Sequence, residues 1–172
     1  GMYGGPAINP IRVLSRILVD LHDDKGRITL PGFYDGVPEL SDAQRTQWNS
    51  LNHDAEGFLQ AVGLSQPAGE SNYSVLEQIW ARPTCDINGM WSGYQGEGAK
   101  TVLPAKAGAK FSFRLVPDQD PTKLTAAIKE LFEPLLPPGI SMQLIDFHGA
   151  PGVKFPLDSP YLKAASAAIE HG

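Results

Sequence analysis

Residues 85–117 read CDINGMWSGYQGEGAKTVLPAKAGAKFSFRLVP, and this stretch decides the fold class. In its second half Ala109, Phe111, Phe113 and Leu115 alternate with Lys110, Ser112, Arg114 and Val116. Successive side chains on a strand point to opposite faces, so this spacing predicts a half-buried strand with a mostly polar outer face. Residues 86–91 predict a strand before it. The run between the two is rich in Gly, Thr and Pro, residues that punctuate turns and connections.

Outward from this pair the pattern is α+β. Asp120-Pro121 opens a helix, because proline suits a first helical turn, and Leu124, Ala127, Ile128, Leu131 and Phe132 share one face. Pro137-Pro138-Gly139 stops it, and Ile140, Met142 and Leu144 then alternate with Ser141 and Gln143, which predicts a third strand running toward Phe147-His148-Gly149. Upstream, Asn9 is placed to cap a helix, Pro10 fits its first position, and Ile11, Leu14, Leu18 and Leu21 form one stripe. Helix, strand, strand, helix, strand is the order of a ferredoxin-like βαββαβ sandwich, an antiparallel sheet with two helices on one face, here with its first strand missing. Residues 24–80 interrupt it as a partly helical insertion. They hold the turn Asp23-Asp24-Lys25-Gly26, an extended 27–30, and a capping box from Ser41 to Gln44. Trp48, Leu51, Ala55, Phe58, Leu59 and Val62 follow at helical spacing, then a loop over 67–74 and a short helix over 74–80.

Composition narrows the function. The 172 residues are 42% hydrophobic and 19% charged, which fits one globular domain and excludes bulk disorder. The net charge of -5 argues against a nucleic-acid footprint, which needs a basic face. No apolar run reaches the roughly 18–20 residues of a membrane span. Residues 1–10 do not read as a signal peptide. The single Cys85 excludes an internal disulfide and leans toward a reducing, cytoplasmic setting.

The chemistry-bearing residues are few. Arg114 lies on the polar face of its strand, where a planar guanidinium could grip a carboxylate with two parallel hydrogen bonds; an ordinary solvated arginine is the alternative. Lys110 shares that face and adds positive potential. Thr101 lies in the loop 96–104, GEGAKTVLP, whose glycines permit close backbone approach to a ligand, although a plain hairpin connection reads the same way. His148 ends the third predicted strand, where its imidazole could bond a carbonyl or carboxylate; a structural or solvated histidine is the alternative. Asn88, ahead of Gly89, can cap a turn with its side-chain amide. There is no His-x-Glu-x-x-His, no Cys pair and no Gly-x-Ser-x-Gly, so neither a zinc-binding nor a nucleophile motif is present; His22-Asp23-Asp24 reads as a helix exit into a turn.

The segments AKTVLP (99–104), KFSFRLVP (110–117) and HGAPG (148–152) resemble the lid, or dimerisation, domain of carnosinase-type zinc dipeptidases, relatives of the aminoacylases and glutamate carboxypeptidases. The resemblance covers most of the chain and is weakest over 24–80. It implies a lid and dimerisation domain over 1–152 with its insertion at about 24–80. It implies that 153–172 begin the return to a catalytic domain, and that a first strand and its lid histidine precede Gly1. It further implies that Arg114 holds the carboxylate of a dipeptide and that Thr101 reaches across a homodimer to substrate on the other subunit. His148 and Asn88 then face the cleft and the dimer seam. By the same resemblance, no catalytic residue or metal ligand lies in this chain, and two zinc or manganese ions sit in the parent's other domain. The fragment alone is expected to be inactive. Two other readings stand beside this one. An RNA-recognition module is opposed by the acidic balance and by Phe111 and Phe113 sharing the core-facing side. A non-enzymatic ferredoxin-like module that binds a small molecule or oligomerises remains consistent with the pattern.

Overall fold

The computed structural model describes residues 2–156 and 158–170. Helix α1 spans Pro10–Val19; Asn9 caps it, its Oδ1 accepting from the Ile11 amide at 2.9 Å. The insertion contributes α2 (Asp42–Asn49), α3 (Ala55–Gln60) and α4 (Val75–Trp80). Strands β1 (Thr84–Ser92) and β2 (Ala107–Arg114) pair antiparallel, with Thr84 opposite Arg114 and Ser92 opposite Ala107. A 3-10 turn at Pro121–Lys123 leads into α5 (Leu124–Phe132), and α6 spans Pro160–Glu170.

The core lies between one face of the hairpin and the helices α1 and α5. Ile17, Leu18 and the fully buried Leu21 meet Cys85 and the α5 residues Ala127, Ile128 and Phe132, with Phe111 and Phe113 packed against them. Aromatic edges close the layer, Phe111 lying 6.1 Å from Phe132 and Phe33 5.6 Å from Phe113 between ring centroids. Burying each large apolar side chain contributes roughly 1.5–3 kcal/mol. Ile28, Leu30 and Phe33 belong to this same core, so the extended run after α1 is anchored beneath the hairpin rather than carried outside it.

Two expectations are corrected. Residues 140–144 form no strand, and the sheet has two members. Their side chains do alternate: Ile140, Met142 and Leu144 are half-buried while Ser141 and Gln143 are exposed, with Met142 and Leu144 packed against the core. That alternation records packing on one side only. A ladder also needs a neighbouring strand with free N–H and C=O groups, and the described residues supply none there. The described residues therefore show the α+β class and a two-strand antiparallel sheet, not the complete ferredoxin-like sheet. The second correction lies in the insertion. The helical spacing from Trp48 to Val62 is cut by a turn in which Asn52 takes a left-handed φ of 49°. Asp54 starts a new helix there by accepting from the Gly57 amide at 2.9 Å, an alternative bond that local Asn and Asp offer the backbone.

Candidate substrate-binding site on the hairpin

The hairpin has two unlike faces. Along β2, Ala109, Phe111 and Phe113 are half-buried while Lys110, Ser112 and Arg114 are exposed. Cross-strand pairing puts Thr84 beside Arg114 and Asp86 beside Ser112 on that exposed face, and the Thr84 hydroxyl lies 3.0 Å from the Asp86 carboxylate. Among the described residues no carboxylate lies within salt-bridge distance of Arg114, whereas Arg27, Arg45 and Arg82 are all paired internally. Arg114 thus offers an uncommitted guanidinium from a strand, a backbone that holds its direction. Lys110 is four residues away, roughly 13 Å along the strand, too far to share one carboxylate with Arg114.

Asn88 stands at a bulge. The register passes from Ile87 opposite Phe111 to Gly89 opposite Lys110, leaving Asn88 as the extra, exposed residue. Bulges re-aim a side chain and increase local twist. Thr101 is exposed in the loop joining the strands. That loop is braced internally: the Ser92 hydroxyl donates to the Lys106 carbonyl at 2.7 Å, the Tyr94 hydroxyl donates to the Glu97 carbonyl at 2.8 Å, and the Val102 amide donates to the Lys100 carbonyl at 3.0 Å. It emerges from the end of the hairpin opposite Arg114; the 8 residues of β2 extend roughly 23 Å between those ends.

His148 is at the Arg114 end. Its segment is bound to the turn that follows β2. A Cβ on Gly152 would meet the Pro117 nitrogen at 2.9 Å and the Val116 carbonyl carbon at 3.0 Å, and one on Gly149 would meet Pro121 Cβ at 3.1 Å. Only a bare backbone approaches that closely at 152. The Thr125 hydroxyl donates to Asp146 Oδ2 at 2.9 Å. The turn itself is fixed by Gln119, which accepts from the Val116 amide at 2.9 Å and donates to the Phe33 carbonyl at 2.6 Å. The structure therefore gathers Arg114 and His148 toward one end of the hairpin, leaves Asn88 along β1, and sets the Thr101 loop at the far end. Gln119, Thr125 and Asp146 were not singled out in the sequence, where nothing but their polar character marks them.

No group of three or more His, Cys, Asp and Glu among the described residues is arranged to hold a metal ion. Asp23, which follows His22, accepts from the Lys25 and Arg27 amides at 2.9 Å each, and the Arg27 bond leads in lowering its pKa; it is a turn residue. Cys85 is buried, and burial, with Asp86 next to it, pushes its thiol up to about 12, which makes it a core side chain and not a nucleophile. No described helix is long and apolar enough to cross a membrane.

The described residues thus form an α+β domain whose polar hairpin face carries Arg114 outside any internal ion pair. Comparison with known proteins gives it a family. The family described as the peptidase dimerisation domain of M20 matches residues 1–140, and the chain belongs to it. The Cys-Gly metallodipeptidase of Candida albicans is 34% identical over 124 residues, covering 72% of this chain and 26% of that protein. The Beta-Ala-His dipeptidase of Rattus norvegicus is 27% identical over 133 residues, 77% of this chain and 27% of its own length. Among solved structures, an M20 family metallo-carboxypeptidase from Sulfolobus solfataricus superposes with a TM-score of 0.84 at 29% identity, over 99% of this chain and 38% of that one. The chain spans about a quarter to two fifths of the length of these relatives.

Proposed function

We propose that this chain is the lid and dimerisation domain of a metal-dependent dipeptidase, which hydrolyses the peptide bond of dipeptides and pairs through this domain as a homodimer. The observation that carries the reading is Arg114, exposed on β2 without an internal carboxylate, in a domain of the M20 peptidase dimerisation family. In the parent, Arg114 binds the substrate's terminal carboxylate in a bidentate pair, and His148, toward the same end of the hairpin, hydrogen-bonds the substrate. Thr101 is set far from Arg114 along the hairpin, while a dipeptide is only about 7 Å long. This supports Thr101 acting on substrate held by the other subunit, with Asn88 at the seam between them. Lid closure excludes water and aligns the scissile carbonyl.

The domain bounds follow the same reading: 1–152 as the lid with its insertion at about 24–80, and 153–172 as the start of the return segment. The sheet is completed to a ferredoxin-like one by a strand from the parent that pairs beside residues 140–147. The described residues do not fit a metal ion, so the expected zinc or manganese pair belongs to another domain of the parent, and this chain alone is inactive. A cytoplasmic setting is consistent with the lone, reduced Cys85.

The test is dipeptidase activity of the full parent with zinc or manganese, comparing wild type, Arg114→Lys and Arg114→Ala. Loss of a charge-assisted pair to substrate is worth about 1.5–3 kcal/mol, roughly ten- to more than a hundredfold in kcat/KM. Arg114→Lys recovers only part of that, because a point charge does not reproduce the bidentate fork. Full activity in Arg114→Ala, with the protein folded and metal-loaded, removes Arg114 from the site.

A further inference from the structure

We infer that the insertion carries a docking groove for an amphipathic helical segment of another protein, one whose large apolar anchors are flanked by Lys or Arg. The inference goes beyond the dipeptidase reading and does not depend on it.

The groove lies between α3 and α4. Leu51 and His53 from the turn after α2, Phe58 from α3, and Leu76, Ile79 and Trp80 from α4 line a hollow of about 310 Å³. Leu76 is buried beneath it, while Leu51, Phe58, Ile79 and Trp80 are each about half exposed. Single apolar side chains on a surface are ordinary, but a contiguous set marks a contact surface. The fold holds this set in place. Trp48 of α2 meets the Trp80 ring edge-on at 5.4 Å between centroids, and the His53 and Phe58 rings lie 5.6 Å apart. Helix α4 starts at a capping box, and Gln78 within it donates to the Tyr73 carbonyl at 3.0 Å and the Glu70 carbonyl at 3.1 Å. The Arg82–Glu70 pair then fixes the chain just past the end of α4. A preformed apolar groove between two short helices suits the apolar stripe of a third, read at helical spacing. His53 is the one polar side chain in the lining, so the anchors that enter are apolar.

Charge around the groove selects the occupant. Arg45 is the sole lysine or arginine between Ile28 and Ala81. It is already engaged, by Glu39 at 3.7 Å and Glu77 at 3.4 Å. Asp54 and Glu56 stand between His53 and Phe58 in the chain, exposed and outside every ion pair among the described residues. The rim on the α3 side is therefore negative. It attracts a basic flank, and it repels both an anionic lipid surface and the same face of a second copy.

The experiment titrates the full metal-loaded parent with a fluorescein-labelled helical peptide of Leu and Lys whose leucines form one stripe. Two controls are the same peptide with Glu in place of Lys and a shuffled peptide without the stripe. The variants are Ile79→Asp, Leu51→Ser and the double variant Asp54→Ser/Glu56→Gln, which removes the rim charge but keeps an N-cap for α3. Thermal unfolding and sedimentation are followed in parallel. The expected result is saturable binding of the Lys peptide, roughly tenfold or more weaker in Ile79→Asp and in Leu51→Ser, each with an unfolding midpoint close to wild type. In Asp54→Ser/Glu56→Gln binding should weaken by roughly threefold and lose part of its salt dependence, mainly through the on-rate. Both control peptides should bind at least roughly tenfold more weakly. Absence of saturable binding, binding unchanged in the folded Ile79→Asp or Leu51→Ser variant, or equal binding of the Glu peptide overturns the inference. So does a wild-type parent that ignores the peptide while a groove variant sediments as a smaller assembly, since the groove is then filled by a second copy.

Discussion

The core beneath the hairpin and the latch that holds the insertion are built on opposite physical principles. Under the hairpin, Leu18, Leu21, Cys85, Ile128 and Phe132 pack without a charge among them. At the insertion, Arg82 and Glu70 are both buried, their side chains 3% and 6% exposed, and Arg82 reaches both Glu70 oxygens from Nε and Nη2. Tyr73 and Tyr34 face the guanidinium at 4.1 Å and 5.3 Å from their ring centroids, and Arg27 lies 3.7 Å over the Tyr34 ring. Burial alone would lower the Arg82 pKa, but the Glu70 bonds more than offset it and hold it above the ordinary value. Apolar packing tolerates volume-conserving exchange. A buried ion pair tolerates the loss of both partners better than the loss of one. The core therefore supplies stability, while the latch specifies how the segment before β1 joins the insertion.

The comparison can be broken most sharply at the latch. Glu70→Ala leaves Arg82 buried without its main partner and is expected to cost about 3–5 kcal/mol in chemical denaturation. Glu70→Met with Arg82→Met should recover most of that loss. A double variant as unstable as the single would mean that the pair itself stabilises the fold. In the core, Leu21→Ala should cost about 3 kcal/mol, from lost transfer energy plus the cavity left behind. Cys85 distinguishes the two lesions. Its thiol should label quickly in Leu21→Ala, which loosens the core around it. In Glu70→Ala it should stay slow even where protease cuts the insertion. Equal acceleration in both would show that the two regions open as one unit.

Alkaline pH has a smaller effect on both regions, through separate windows. Burial raises the Cys85 thiol from 9.0 to about 12, so above pH 9 the unfolded chain loses that proton while the folded one keeps it. Burial likewise raises Tyr34 from 10.0 to about 12, against the backbone amide of Ile28, which donates to its hydroxyl at 3.0 Å. The folded state binds more protons in each case, so both contributions are fully present at neutral pH and fade as pH rises, from about 9 for Cys85 and from about 10 for Tyr34, until the folded groups ionise. Urea midpoints measured from pH 8 to 12 should fall throughout. Cys85→Ala should flatten the first part of the decline and Tyr34→Phe the later part.

Much of this was legible in the residues. Asn9-Pro10, the Ser41 capping box and Asp120-Pro121 marked helix starts because their reasons are local: a cap or a proline acts within one turn. The alternation from Ala109 to Arg114 placed Arg114 on an exposed face for an equally local reason, the period of the pleat. The same period misled at 140–144, because half-burial alternates on any extended segment lying on a core, with or without a ladder. The helical spacing at 48–62 concealed a break, since the competing bond from Asp54 depends on a side chain that spacing does not weigh.

From the sequence alone came the class of fold, the outward direction of Arg114, the exclusion of zinc-binding and nucleophile motifs, and the resemblance that led to the family. Each follows from rules acting within a few residues or from motif chemistry. Tertiary structure decided that Ile28, Leu30 and Phe33 join the main core and that Arg82 takes Glu70 as its partner. It also brought Thr125 to Asp146 and placed the Thr101 loop at the end of the hairpin away from Arg114. These are pairings between segments distant in the chain, and their energy depends on a geometry that no local pattern encodes.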